Sequence, residues 1–260
     1  MKQYKIQINR DEALRYLGYH GKKVDTIVSG QLDDAISLLE QVAKPAYIYK
    51  VFKLDRIQNN MEGTSSDKIE PNYRNSTSDA PALSTRKSFP PSGIGLEGTS
   101  ILLTGRAAAS FLEDCDSCIM IAVTIGHRVD EELRRLQITD MSGAVILDSC
   151  ASSAVESICS QFEADLEAEY ESRGFFLTDR FSPGYGDLPI HLQPAICRAL
   201  STEKTIGLST TSGMLMTPTK SVTAFIGIAN RPQPKKLSGC ARCRMNETCN
   251  FRKAGITCAQ

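Results

Sequence analysis

The sequence has no net charge, no long hydrophobic run and no N-terminal signal segment. Thirty basic residues balance thirty acidic ones over 260 residues, so no global electrostatic field favours nucleic acid or a membrane surface. No run of about 18 apolar residues occurs, and the start MKQYKIQINRDEALRYL has no apolar core of signal-peptide type. We therefore expect a cytoplasmic protein with no membrane partner, for which nucleic acid is a disfavoured ligand.

Motifs of several large enzyme classes are also missing. The three histidines are far apart, and there is no H-E-x-x-H, no nucleophile elbow and no G-x-x-x-x-G-K-[ST] loop. Hydrolase and kinase activities therefore lack support.

The spacing G-x-G-x-x-G occurs at Gly93, Gly95 and Gly98. A dinucleotide-binding loop needs a strand before these glycines and a helix opening on them. Here SFPP precedes them and an extended pattern follows, so we expect the flexible end of a loop. The same observation disfavours a Rossmann-type methyltransferase.

Composition and periodicity divide the chain into four segments. Residues 1–56 contain strand and helix patterns and are expected to belong to the main domain. Residues 57–96 are rich in Asn, Ser, Thr, Asp, Pro and Gly, which cannot offset the entropy of ordering, and predict a flexible insertion. Residues 97–230 form the predicted core, and residues 231–260 form a basic, cysteine-rich tail.

Hydrophobic periodicity predicts an α+β fold with a mixed or antiparallel twisted sheet, long helices and the Cys-rich C-terminal tail. Alternation from Tyr4 to Ile8 predicts a short strand, and a long helix is expected from about Asp140 to Arg173, ended by Gly174. The stretches GMLM and SVTAFIGIA are interpreted as two strands joined by a four-residue turn.

The stretch RFSPGYGDLP, residues 180–189, combines features of a ligand-binding loop. Arg180 offers a planar fork of donors that suits a carboxylate or phosphate. Gly184 and Gly186 allow open backbone dihedrals, and Pro183 and Pro189 stiffen the loop. The alternative is a structural turn whose arginine pairs with one of the chain's many acids.

The second half of the long predicted helix is strongly acidic. We expect most of its carboxylates to form a solvated face, whereas Glu156 lies on the apolar half and is set apart as a candidate site residue.

The tail contains four cysteines, Cys240, Cys243, Cys249 and Cys258, in the spacing C-x2-C-x5-C-x8-C. Such a set can bind zinc or an iron–sulfur cluster in tetrahedral geometry, and the spacing does not decide between them. The odd total of nine cysteines also favours thiols or metal ligands in a reducing compartment over a disulfide framework. The second C-x2-C pair, Cys115 and Cys118, is expected to serve packing.

The order of these pieces resembles a known family. RFSPGYGDLP, the upstream TDMSGAVILDSCASSAVES, the downstream IGLSTTSGMLMTPTKSVTAFIGIA and the Cys-rich end are together similar to the activation domain of cobalamin-dependent methionine synthase, and more closely to its stand-alone relatives.

The resemblance implies S-adenosylmethionine binding. In the family, the arginine matching Arg180 holds the ligand's carboxylate, positions matching Ser182, Gly184 and Tyr185 make main-chain contacts, and the glutamate matching Glu156 lies against the charged amino acid portion. An acid near the start of the domain also contacts the ligand, and the sequence assigns no residue of this chain to it.

The function implied is reductive reactivation of a separate cobalamin-dependent methionine synthase or related corrinoid methyltransferase, by methylation of cob(I)alamin. No D-x-H-x-x-G motif is present, so the resemblance places cobalamin on a partner protein, with flavodoxin or ferredoxin as electron donor. The alternative is a metal-binding interaction module that binds a protein partner or RNA without catalysis. Seven basic residues against one acid in residues 231–260 motivate it.

Overall fold

The computed structural model describes residues 2–19, 24–57 and 93–233. The cysteines predicted to bind a metal, Cys240, Cys243, Cys249 and Cys258, lie outside the described residues. Within these ranges no helix is long and apolar enough to span a bilayer.

A six-stranded antiparallel sheet lies at the centre, in the order β3-β2-β1-β4-β8-β5. A separate two-stranded sheet pairs β6 with β7. The strands are β1 Ala46–Ile57, β2 Gly93–Leu96, β3 Leu102–Thr104, β4 Cys115–Thr124, β5 Phe176–Leu177, β6 Ser209–Thr210, β7 Met216–Thr217 and β8 Ser221–Ala229. The α+β prediction with an antiparallel sheet is confirmed.

Helices cover both faces of the central sheet. They are α1 Arg10–Tyr16, α2 Thr26–Val42, α3 Arg106–Phe111, α4 His127–Thr139, α5 Met141–Ser172, α6 Gln193–Leu200 and α7 Thr202–Ile206, with a short 3₁₀ helix at Ile190–Leu192. In β4, Ile119 and Ile121 belong to the core under α1, α2, α4 and α5, whereas Cys118 and Met120 belong to the core under α3 and α6. A strand buried on both faces is apolar almost throughout, as β4 is.

Helix α5 begins and ends where the sequence predicts. The Asp140 carboxylate accepts a hydrogen bond from the Gly143 N–H at 3.0 Å and caps the first turn. At the other end Gly174 has a φ of 80°, and the N–H groups of Gly174 and Phe175 donate to the carbonyls of Glu171 and Tyr170. This pattern needs a left-handed residue, and glycine adopts that conformation without a steric penalty.

Two sequence-based expectations are wrong. Gly93–Leu96, expected to be the end of a flexible loop, is a strand paired with β1 and β3, and it leads into a turn and another strand rather than a helix. The Tyr4–Ile8 segment is not a strand, because its alternating side chains pack beside α5, where Tyr4 contacts Phe162, instead of joining the sheet. The two strands predicted on either side of the TPTK turn are present as β7 and β8, and β7 pairs with β6.

Candidate functional site

A cleft of about 490 Å³ opens beside the first residues of β8, a size within the range of small-molecule sites. Its walls come from α1, α5, the 180–189 loop, α6, β7 and β8. The lining residues are Glu12, Tyr16, Glu156, Arg180, Ser182, Pro183, Tyr185, Gln193, Met216, Ser221, Val222 and Thr223.

Arg180 lies between two glutamates of α5. Its Nη2 donates to Glu156 Oε2 at 2.7 Å, and its Nε lies 2.7 Å from Glu163 Oε1. The Arg180 side chain is 18% exposed. Burial alone would lower the pKa of the guanidinium; neighbouring Cys159, Glu163 and Glu156 reverse this, so the pKa lies above its ordinary value. The arginine is therefore a fixed positive charge in the cleft wall.

Helix α1 brings a second carboxylate to the cleft. Glu12 lies 3.2 Å from the Arg15 guanidinium, accepts from the Ser153 hydroxyl of α5 at 2.9 Å, and accepts from the Tyr16 hydroxyl at 3.3 Å. Burial and the charges of Glu12 and Glu156 raise the pKa of Tyr16 to about 12. Among the residues that line the cleft, two glutamates, Glu12 and Glu156, face one arginine, Arg180, which leaves an excess of negative charge and favours a ligand with cationic groups.

The 180–189 loop is anchored along its length. Phe181 exchanges two main-chain hydrogen bonds of 2.9 Å with Phe225 of β8, and its ring stacks on Phe111 of α3 at a centroid distance of 4.7 Å. Gly184, with a φ of 94°, donates to the Leu188 carbonyl at 2.8 Å. Since its N–H is used inside the loop, a main-chain contact from Gly184 to a ligand would have to come from its carbonyl oxygen.

Asp187 ties the far end of the loop to α3. Its carboxylate accepts from the N–H groups of Ala107 at 3.0 Å and Arg106 at 2.6 Å, and these bonds lower the pKa of Asp187. Gly105 precedes them with a φ of 104°, and an added Cβ would meet the carboxylate.

The Asp187→Ala change should lower the free energy of unfolding by about 1 kcal/mol, the usual cost of losing a helix cap. The pKa of Asp187 in the folded state is lower than the unfolded-state pKa of about 3.9. The stabilisation by this carboxylate is therefore present above a pH of about 3.9 and is lost as the pH falls through the folded-state pKa. Urea unfolding of the native protein and the variant at pH 7 and pH 3 measures the loss of stability and its dependence on pH. A difference between the two proteins that stays constant with pH would contradict the assignment.

One edge of β8 faces the cleft at the first residues of the strand. On this side, β5 pairs with Ile228 and Ala229, and Phe181 bridges to Phe225. Because main-chain groups alternate along a strand, the N–H and C=O of Thr223 point to the same side as those of Phe225, toward the cleft.

Four of the five residues predicted for the ligand site line this cleft: Arg180, Ser182, Tyr185 and Glu156. Gly184 shapes the loop but is not among the lining residues. Glu163, expected on a solvated face, is instead half-buried beside Arg180. The signal was present, because positions seven apart, such as Glu156 and Glu163, share one helix face.

The other residues of the cleft come from elements that no local pattern connects. Glu12, Gln193 and Thr223 reach the cleft from α1, α6 and β8, and sequence analysis missed them.

The cysteine pair of β4, expected to serve packing, lies in the hydrophobic core. Cys115 and Cys118 are buried. The pKa of Cys118 is raised to about 12, mainly by burial and to a smaller extent by the neighbouring Cys115. Within the described ranges, no group of three or more His, Cys, Asp or Glu side chains could hold a metal ion.

Comparison with known proteins gives a structural match. No protein-family model matches the sequence, and no curated protein matches it. Among solved structures, the crystal structure of the MetH reactivation domain bound to AdoHcy superposes with a TM-score of 0.53 at 14% identity, covering 96% of this chain and 82% of that one. The chain therefore has the fold of a methionine synthase reactivation domain, as the sequence resemblance implied.

Proposed function

We propose that the cleft binds S-adenosylmethionine and that the chain supports reductive reactivation of a separate cobalamin-dependent methionine synthase or corrinoid methyltransferase. The observation that carries this proposal is the meeting of Arg180, Glu156, Ser182 and Tyr185 in one cleft. The fold is that of a domain whose solved structure is described as bound to AdoHcy.

The charges of the cleft fit this ligand. S-adenosylmethionine carries a carboxylate, an ammonium and a sulfonium group, so it needs one cationic partner and an excess of anionic ones. Arg180 supplies the first and Glu12 and Glu156 the second. Arg180 uses one N–H for Glu156 and its Nε faces Glu163, which leaves further guanidinium donors for a ligand carboxylate.

In this reaction the role of the chain is to position the methyl donor. The residues of the cleft would hold the methyl donor against the reduced cobalt of the partner and exclude water, and no general acid or base is required of them. The corrinoid comes with a partner protein, and the electron with a donor such as flavodoxin or ferredoxin. The anchored 180–189 loop suits this role because little ordering remains to be done on binding.

The direct test combines binding with methyl transfer. Calorimetric titration with S-adenosylmethionine should show saturable binding. Addition of the chain to an inactive, cob(II)alamin-containing methionine synthase that lacks its own activation domain should restore turnover when a reductant and S-adenosylmethionine are both present. Binding without restored turnover would retain the ligand and discard the partner assignment, and absence of both would discard the proposal.

A metal at the tail cysteines remains a separate proposal. Metal analysis of the purified protein, compared with a Cys240→Ser, Cys243→Ser variant, would distinguish zinc from an iron–sulfur cluster. Bound metal together with salt-sensitive RNA binding and no S-adenosylmethionine binding would favour the interaction-module alternative.

A further inference from the structure

A buried amide on α6 has no partner at its oxygen. Gln193 is 6% exposed and lines the cleft, and its Oε1 accepts no hydrogen bond from any residue of the described ranges. A buried acceptor without a donor is unfavourable, and native structures retain few of them. Its position in a cleft wall points to a ligand that supplies the missing donor.

A second unpartnered group lies in the same cleft on a different element. Thr223 of β8 is 1% exposed, and its Oγ1 forms no hydrogen bond within the described residues. Its main-chain groups also face the cleft. Two independent elements thus present unused, uncharged polar groups to one space, alongside apolar surface from Met216 and Val222.

We propose that Gln193 and Thr223 form the specificity-determining subsite for the adenine ring, with the Gln193 oxygen accepting a hydrogen bond from the exocyclic amine. This inference rests on the proposed function. Arg180, Glu156 and Glu12 match the charged amino acid portion of the ligand, so the unpartnered neutral groups are left for the nucleoside. Glutamine amides pair with the hydrogen-bonding edge of adenine, and the apolar surface accepts the face of the ring.

The test uses the apolar substitution Gln193→Leu and two ligands, AdoHcy and S-inosylhomocysteine, in which a carbonyl replaces the exocyclic amine. The native chain should prefer AdoHcy by roughly tenfold or more, because a site that hydrogen-bonds a donor rejects an analogue without it. The variant should bind AdoHcy roughly tenfold more weakly and lose most of the preference. Thr223→Val should weaken AdoHcy by a few-fold.

The thermal stability of the ligand-free protein separates this role from a structural one. Because the Gln193 oxygen has no partner without ligand, Gln193→Leu should leave Tm unchanged or raised while affinity falls. Gln31→Leu is the matched control, since the Gln31 amide is already paired with Ser142 at 2.7 Å outside the cleft. It should leave AdoHcy binding unchanged.

Two results would overturn the inference while leaving the proposed function in place. One is a Gln193→Leu variant that binds AdoHcy as the native chain does; the other is a preference for AdoHcy that survives the change. Absence of AdoHcy binding to the native chain would remove the proposed function and this inference together.

Discussion

The Arg180→Ala variant is expected to lose S-adenosylmethionine binding by 100-fold or more and to unfold more easily. The change removes the guanidinium that pairs with Glu156 and Glu163, so the ligand carboxylate would meet uncompensated negative charge. Breaking a fully buried pair costs about 3–5 kcal/mol. We expect about 2–3 kcal/mol here, because Glu156 and Glu163 remain 39% and 26% exposed and solvent screens part of the loss.

Two further variants make the result interpretable. Arg180→Lys keeps the positive charge but not the planar fork, so it should fold more stably than the alanine variant and still bind at least tenfold more weakly than the native chain. Arg173→Ala removes an exposed pair with Glu169 and a contact with the Tyr170 ring at 5.1 Å, and should change stability by about 1 kcal/mol or less. Calorimetry and urea unfolding measure both quantities, and full binding by Arg180→Ala would refute the assignment.

The Glu156→Gln variant should shift the relative affinities of the cleft from S-adenosylmethionine toward AdoHcy. S-adenosylmethionine carries one more positive charge than AdoHcy, so loss of a cleft carboxylate should weaken S-adenosylmethionine roughly tenfold more than AdoHcy. The amide can still accept a hydrogen bond from Arg180 Nη2, so the fold should be retained. The measurement is competitive titration with both ligands at low and moderate salt.

Glu171→Gln is the matched control, because it makes the same change on the exposed end of the same helix. It should leave the ratio of the two affinities as it is in the native chain. An equal loss for both ligands in Glu156→Gln would show that the carboxylate acts through the position of Arg180 and not through its charge.

Sequence analysis correctly predicted the features of this protein that depend on residues close together in the chain. Helix α5 has a capping residue and a terminating glycine within a few residues of its ends. The 180–189 loop is recognisable from Arg180 and from its glycines and prolines. The pairing of strands could not be predicted in this way, because the hydrophobic pattern of one strand does not identify the strand with which it pairs. Gly93–Leu96 forms a strand only because β1 and β3 flank it.

The site shows the same division. Arg180 and Glu156 are recognisable by residue type and position, whereas Glu12, Gln193 and Thr223 become site residues only when α1, α6 and β8 converge. No spacing rule links residues so far apart along the chain. Gln193 in particular looks like an ordinary helix-start residue until its burial and its unused oxygen are known.

The walls of the cleft extend from Glu12 to Thr223 along the chain, and this has a thermodynamic consequence. No fragment short of nearly the whole described fold contains the complete cleft, so global unfolding destroys the site and ligand binding is linked to it. At a free ligand concentration about 100 times Kd, that linkage adds about 2.7 kcal/mol to the stability of the entire domain. Supply of the ligand would then also govern how long the folded chain resists proteolysis.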